Sequence, residues 1–326
     1  MNESVKKALF WVTVVGGTVG ASELLNQFLC RRARRYPAHD KEPLRYKWRF
    51  GQIAYTKYVP NTKHSSTDHP YTKSGSDTPV VLIHAPEAGA SRILMEPLAE
   101  KLSSGHTVYL LDLPGYGQSD KPHMTYTAYF FVNMLSDFME NVVRQPACVI
   151  ADGLSCLFVA LACNTRPDAY TQLIFFNPPT PEACDEVPGA VAKYFIKPVL
   201  ELPIIGTLVY NLTLTQSAYR KKYGSMTDTV MTHRMNAAAH EHMQGARFAF
   251  ASSKTNFMNA NISRSIARLD RSVYVMLSGD EERCSAEAEV LYDLNQSIET
   301  EYIPSGRTCP WLQNPKAVED TLKFLL

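Results

Sequence analysis

The chain offers little that would suit a metal ion or a nucleic acid. Its 326 residues carry a net charge of only +1, so no excess of one sign attracts nucleic acid or an acidic partner. Its seven cysteines form neither a C-x-x-C pair nor a Cys/His cluster with zinc-ligand spacing, so we expect no metal and no cofactor. Their odd number and scattered positions favour free thiols in a reducing compartment over a disulfide framework.

Histidine is missing from the end of the chain, because none follows His242. Histidine is the side chain that most often takes up a proton during catalysis at neutral pH. Any catalytic imidazole must therefore come from an earlier part of the sequence.

The first 35 residues contain no uninterrupted apolar run of the roughly 20 residues that a membrane span needs. The run Ala8–Ala21 is uncharged but shorter, and its extension to Leu29 includes polar side chains. Three interpretations stay open: an N-terminal membrane anchor or interfacial helix, a signal peptide cleaved near Ala21, and a soluble helix packed on the main domain.

Basic residues flank this run unequally. Lys6 and Lys7 precede it, and four arginines follow it: Arg31, Arg32, Arg34 and Arg35. If the run anchors the protein in a membrane, the positive-inside rule predicts a cytoplasmic main domain. If the run is a cleaved signal, the domain is instead secreted.

Short apolar segments alternate with amphipathic ones over residues 45–177 and again over 266–326. This alternation predicts a parallel sheet with crossover helices. The predicted strands span 45–50, 52–59, 79–84, 106–112, 147–152, 172–177, 272–279 and 298–304. The strand pattern stops over 178–265, which we interpret as an inserted helical cap after the sixth strand and refer to below as the cap.

Three motifs carry a family resemblance. Leu111–Pro122 reads LDLPGYGQSDKP, which looks like a D-x-x-G-x-G-x-S turn after a fourth strand, and His84-Ala85 stands where a His-Gly pair follows a third strand. Thr308–Pro315 matches an H-x-P-x-x-E-x-P frame in which the histidine and the glutamate are replaced. The chain thus resembles the α/β-hydrolase superfamily, in its capped branch of esterases, lipases and epoxide hydrolases. The resemblance implies an α/β fold with a mostly parallel eight-stranded sheet and helices on both faces.

The nucleophile of that family sits on a G-x-S-x-G turn between a strand and a helix, and VIADGLSCLF at 149–158 can be aligned with it in two registers. In the favoured register Gly153 occupies the nucleophile position and has no side chain. In the other register Ser155 is the nucleophile, although a serine there could equally satisfy the N–H groups that begin a helix. Cys156 is a third, less favoured nucleophile, and Asp152 is expected to point away from the pocket.

The family's base and acid positions are also altered. Thr308 occupies the histidine position, and neither its hydroxyl nor the guanidinium of Arg307 can accept a proton at neutral pH. Glu282 could keep the role of the acid. A replacement base could come from His84 near the oxyanion loop, or from His240 or His242 in the cap. Ala85 and Leu154 are the candidate oxyanion and pocket residues beside His84.

Three hypotheses for function remain. The first is a non-catalytic family member that keeps a pocket for an apolar or acyl small molecule, or that binds an unidentified protein partner, at a membrane surface. The second is an active ester or acyl hydrolase that uses Ser155 with a non-standard base. The third is a structural or protein-interaction module whose own side chains fill the pocket.

Overall fold

The fold is an eight-stranded sheet between layers of helices. The computed structural model describes residues 17, 20–27, 42–60, 78–185, 187–223 and 245–326. The strands of these residues lie in the order β1-β2-β4-β3-β5-β6-β7-β8. They are β1 Leu44–Trp48, β2 Gly51–Tyr58, β3 Val80–Ile83, β4 Val108–Leu111, β5 Ala147–Asp152, β6 Tyr170–Phe176, β7 Ser272–Ser278 and β8 Ile298–Ile303. β2 runs antiparallel to β1 and β4, and all pairs from β4 to β8 are parallel, which confirms the predicted fold class.

Helices connect the strands. Residues 20–27 are helical. The later helices are α1 Glu96–Leu102, α2 Ala128–Phe138 with a wider turn Met139–Val143, α3 Ser155–Thr165, α4 Pro181–Asp185, α5 Ala192–Glu201, α6 Ile205–Thr213, α7 Gln216–Tyr223, α8 Ala246–Lys254, α9 Ile262–Ala267, α10 Glu281–Leu294, α11 Pro310–Gln313 and α12 Pro315–Leu325.

The central strands are buried on both faces, as their unbroken apolar sequences predict. In β3, Val81 and Ile83 belong to one buried apolar cluster, and Val80 and Leu82 belong to the other. Successive side chains of a strand point to opposite faces. The sheet therefore separates two apolar cores, and the polar groups of interest lie at the ends of its strands.

A buried ion pair holds the turn after β4. The guanidinium of Arg92 contacts the carboxylate of Asp112, and both side chains are fully buried. The same carboxylate accepts the N–H of Arg92 at 2.7 Å and the N–H of Gln118 at 2.9 Å. At Gly117, whose φ is +46°, a Cβ atom would lie 2.2 Å from the Asp112 carboxylate. The D-x-x-G-x-G-x-S sequence therefore encloses a carboxylate whose partners are all supplied by the protein.

Between β6 and β7 the described residues form the helices α4 to α9, joined by turns and irregular segments. α6 packs over the loop after β3, where Tyr210 is buried and accepts a hydrogen bond from the backbone of Gly89. No single helix of the described residues is long and apolar enough to cross a bilayer. The pair α5 and α6 reaches the required length and composition together, but with an 86° bend between its two helices. Most of the Ala8–Ala21 run lies outside the described residues.

We expect Asp112→Asn to lower the free energy of unfolding by about 3–5 kcal/mol, because it leaves the buried Arg92 without a counter-charge. Urea unfolding of the purified variants measures this loss. Glu140→Gln is the matched control, since it removes the solvent-exposed partner of Arg166 and should change stability little. A loss for Asp112→Asn as small as that of the control would contradict a stabilising role for the buried pair.

Candidate active site

The turn between β5 and α3 is centred on Gly153. Its φ is +55°, a left-handed conformation that costs a residue with a side chain free energy, and its N–H donates to the carbonyl of Phe176 at 2.9 Å. A Cβ atom at this position would contact the Cβ of Ala85 at 3.3 Å. The position that faces the loop after β3 therefore carries no side chain, and it is the nucleophile position of the favoured register.

Ser155 begins α3 and is fully buried. Its hydroxyl donates a hydrogen bond to the backbone carbonyl of His84 at 2.7 Å, which links the start of the helix to the loop after β3. The neighbouring Cys156 is also fully buried, and burial raises the pKa of its thiol well above the ordinary value. Cys156 is therefore a neutral thiol and not the thiolate that a cysteine nucleophile requires.

His84 uses both ring nitrogens on the backbone. Its Nε2 accepts the N–H of Leu113 at 3.1 Å, so the proton is on Nδ1, which donates to the carbonyl of Ala85 at 2.8 Å. Burial lowers the pKa of the imidazole, which favours the neutral form. The ring therefore fixes the loop against the turn after β4 and does not contact the Ser155 hydroxyl.

The loop after β3, residues 84–91, directs its first backbone groups to partners within the protein. The Ala85 N–H hydrogen bonds to the carboxyl group of Asp152, Pro86 has no N–H, and the Glu87 N–H donates to the Ala85 carbonyl at 2.9 Å. The Tyr116 hydroxyl donates to the Pro86 carbonyl at 2.9 Å. An oxyanion hole in this fold needs an N–H from this loop, and here the Ala85 N–H already has an acceptor.

Asp152 was expected to point away from the pocket, but its carboxyl group accepts hydrogen bonds from the backbone of Ala85 and Gly153 at the candidate site. Burial, the larger cause, and the nearby Glu87 carboxylate together raise the pKa of its carboxyl group to about 8. The Lys222 ammonium and hydrogen bonds from the backbone of Ala85 and Gly153 oppose this shift without cancelling it. At neutral pH the group is therefore mainly protonated. No local sequence signal marks it, because its neighbours come from the β3 loop and the cap.

The loop after β8 holds Thr308 at the family's histidine position. Its carbonyl accepts a hydrogen bond from the Gln313 side chain at 2.7 Å, and the same side chain accepts the Gly306 N–H at 2.9 Å. Gln313 stands at the glutamate position of the H-x-P-x-x-E-x-P frame. The frame therefore still closes this loop, although Thr308 brings no imidazole to it.

Glu282 lies exposed in the first turn of α10, where the Asp280 side chain caps the helix. The carboxylate that reaches the loop after β8 is instead Glu287, five residues further along α10. It contacts the guanidinium groups of Arg283 and Arg307, each at 2.9 Å, and its side chain is only 10% exposed. The i, i+4 spacing of Arg283 and Glu287 on one helix could have suggested their ion pair from sequence. The ion pair between Arg307 and Glu287 depends on the tertiary fold.

A polar network joins the ends of β6, β7 and β8. The Asn177 side chain donates to the Ser278 hydroxyl and to the Arg307 carbonyl, both at 2.8 Å, and accepts the Ser278 N–H at 2.8 Å. The Ser278 hydroxyl in turn donates to the Gly306 carbonyl at 3.2 Å. Uncharged side chains thus hold together the loops in which the family places its acid and its histidine.

The structure brings Gly153, Ser155, His84 and Ala85 together but leaves Glu282 apart from them. Leu154 lies half-buried beside the turn and packs on one of the two cores. His240 and His242 lie outside the described residues, so their predicted role as a replacement base stays a prediction. The catalytic roles considered for Ser155 and Glu282 also stay predictions.

A small cavity lies beside this network. Its volume is about 260 Å³, and its walls come from β7, α10 and the start of the cap. Apolar side chains and prolines form most of the lining: Pro178, Pro179, Pro181, Leu277, Val290 and Leu291. Arg283, Glu287 and Glu182 supply the charged part of the lining. Ligands of open α/β sheets bind at the carboxyl ends of the strands, and this cavity lies at that edge.

The raised pKa of Asp152 makes stability depend on pH. Between its ordinary value near 3.8 and about 8, the folded protein keeps a proton that the unfolded chain has lost, so stability falls as pH rises. Asp152→Asn resembles the protonated acid and cannot titrate. We expect its unfolding free energy to increase relative to that of the wild type by more than about 1 kcal/mol as the pH rises from 5 to 8.

Urea unfolding over a pH series measures this difference. Glu282→Gln, which removes an exposed carboxylate, is the control and should keep the wild-type pH dependence. Parallel curves for Asp152→Asn and the wild type would show that Asp152 is ionised in the folded protein.

Comparison with known proteins identifies the fold family. A family model described as "Alpha/beta hydrolase family" matches residues 80–321, whereas a search of curated protein sequences found no match. Two similar solved structures are a hydrolase from Pseudomonas aeruginosa and a serine hydrolase involved in carbazole degradation. The first is 14% identical to this chain, and the match covers 88% of this chain and 99% of the other. The second is 15% identical, and the match covers 87% of this chain and 98% of the other. Both have a TM-score of 0.64.

A thioesterase domain from the curacin biosynthetic pathway is also similar, with 15% identity, a TM-score of 0.62 and coverage of 88% of this chain and 100% of the other. Identities this low support the fold alone. The family model, however, spans more than half of the sequence and agrees with the motifs, the strand order and the turn at Gly153. The chain belongs to the alpha/beta hydrolase family.

Proposed function

We propose that this chain is a family member without hydrolytic turnover, and that it binds a small apolar or acyl molecule at the carboxyl edge of its sheet. The observation that carries the proposal is the left-handed turn at Gly153, which presents a backbone where the family presents a nucleophile. Removing a triad residue leaves only the residual rate that comes from binding and the oxyanion hole.

The neighbouring groups support the loss of turnover. A serine hydroxyl needs an adjacent base to become a nucleophile. The Ser155 hydroxyl donates to a backbone carbonyl, and both nitrogens of His84 are bonded to the backbone. The Ala85 N–H is bonded to Asp152 and not free for an oxyanion. The nucleophile, the base and the stabilisation of the oxyanion are thus each weakened by a different set of contacts.

The cavity at β7 and α10 supports binding. Its mainly apolar walls suit a hydrocarbon chain, and the charged groups in its lining could orient a polar end. Small-molecule sites range from about 300 to 1,000 Å³, so a cavity of about 260 Å³ suits a short chain. We therefore propose a short acyl or similarly small apolar molecule as the ligand.

Loss of turnover predicts that the wild type hydrolyses p-nitrophenyl acetate no faster than Ser155→Ala. The hydroxyl of Ser155 is bonded to a carbonyl, so its removal should not change the rate. Absorbance of released p-nitrophenol measures both rates against buffer, at pH 7 and pH 8.5. Turnover well above buffer that disappears in Ser155→Ala would establish an active hydrolase.

Ligand binding predicts that the wild type binds hexanoate, measured by isothermal titration calorimetry. Val290→Trp should fill the cavity and weaken the affinity for hexanoate about tenfold or more, because the hydrocarbon chain of the ligand loses its apolar contacts with the protein. Tyr292→Trp, on the exposed side of the same helix, is the matched control and should bind like the wild type. Absence of binding by the wild type, or equal affinities for the two variants, would contradict the cavity as the binding site.

A further inference from the structure

The cap exposes an unusual number of large apolar side chains. Val191, Tyr194, Phe195 and Val199 follow helical spacing along the segment that leads into and forms α5, and they are 64%, 64%, 69% and 48% exposed. This spacing places them on one face of the helix. We call the exposed apolar residues of this segment and of α6 the cap face: Val187, Val191, Tyr194, Phe195, Ile196, Val199, Leu202, Ile205 and Leu212.

The cap face is almost free of negative charge. Between residues 187 and 215 the sequence has one acidic residue, Glu201, and the ammonium of Lys197 contacts its carboxylate. The ammonium of Lys193 lies 5.3 Å from the centre of the Tyr194 ring. Lysine beside exposed aromatic rings is typical of surfaces that lie at a membrane interface, where the charge reaches the headgroups and the rings lie deeper.

The N-terminal part of the chain packs against the same helices. The Asn211 side chain donates to the Asn26 side chain at 2.7 Å, and Asn26 donates to the Ile204 carbonyl at 3.4 Å. Both asparagines are buried, whereas Leu24 and Leu25 beside them are 69% and 42% exposed. In the sequence, the uncharged run Ala8–Ala21 immediately precedes these residues.

We propose that the cap face and the adjoining N-terminal helix form one surface that lies on a phospholipid bilayer. The aromatic and aliphatic side chains of α5 and α6 enter the boundary between headgroups and acyl chains, with both helices parallel to the membrane plane. Exposed apolar patches of this kind mark interaction sites. The continuity with an uncharged apolar run favours lipid over a protein partner, as do the flanking basic residues, which attract anionic headgroups. This role does not depend on whether the fold hydrolyses esters.

Quenching of tryptophan by brominated lipid tests the geometry directly. Phe195→Trp is made in the full chain together with Trp11→Phe, which removes the tryptophan of the N-terminal run. The remaining Trp48 and Trp311 are buried and give a constant background. Phe324→Trp in the same background is the control, because Phe324 is 78% exposed on the C-terminal helix, outside the cap face.

Vesicles of phosphatidylserine and acyl-chain-brominated phosphatidylcholine should quench most of the emission from position 195 and leave that from position 324 unchanged. If the protein co-floats with the vesicles but the tryptophan at position 195 is not quenched, the proposal would be overturned, since the N-terminal run would then bind the membrane without the cap face. If the tryptophan at position 195 instead becomes buried as the protein concentration rises in the absence of vesicles, the proposal would also be overturned, because the cap face would then bind a second copy of the chain.

A paired substitution measures the contribution to affinity. Val191→Glu with Phe195→Glu should lower the vesicle partition coefficient about tenfold or more, because two apolar side chains no longer enter the bilayer. Tyr129→Glu with Phe324→Glu places the same charges at exposed apolar positions elsewhere and should partition like the wild type. Equal partitioning of the two double variants would overturn the proposal.

Discussion

The carboxyl edge of the sheet is organised around one backbone constraint, the left-handed turn at Gly153. β5 must reverse into α3 within two residues, and the β3 loop approaches so closely that a Cβ atom at position 153 would meet the Ala85 side chain. Glycine satisfies both demands without strain. A serine nucleophile at such a turn adopts a strained backbone conformation, which the family keeps because catalysis requires it. With glycine the turn keeps its shape, and the fold no longer carries that strain.

The surrounding polar residues serve the architecture in the same way. His84 fixes the β3 loop to the turn after β4. Asp112 pairs with Arg92 and binds the backbone of the same turn. Asn177 links the ends of three strands. Buried polar groups cost free energy unless they are paired. Each of these groups is paired with the protein itself, which leaves the edge of the sheet ordered.

The sequence predicted the fold more fully than the site. The apolar segments of β3 to β7 lie within a few residues of their observed bounds, because a strand buried on both faces needs an unbroken apolar run. The left-handed φ of Gly153 agrees with the favoured of the two registers that the sequence allowed. Glu287 and the environment of Asp152 were missed, because their partners Arg307 and Ala85 come from elements distant in the sequence. The contact between Asn26 and Asn211 spans 185 residues and leaves no local pattern.

We propose that this hydrolase fold serves binding and not turnover, with a small apolar cavity at the edge of the sheet and an apolar surface on the cap. Intact-protein mass spectrometry after incubation with a fluorophosphonate probe tests this proposal most directly. We expect an unchanged mass, because the turn presents Gly153 and the Ser155 hydroxyl is hydrogen bonded to a backbone carbonyl and not to a base among the described residues. A stoichiometric mass increase that peptide mapping assigns to Ser155 would contradict it.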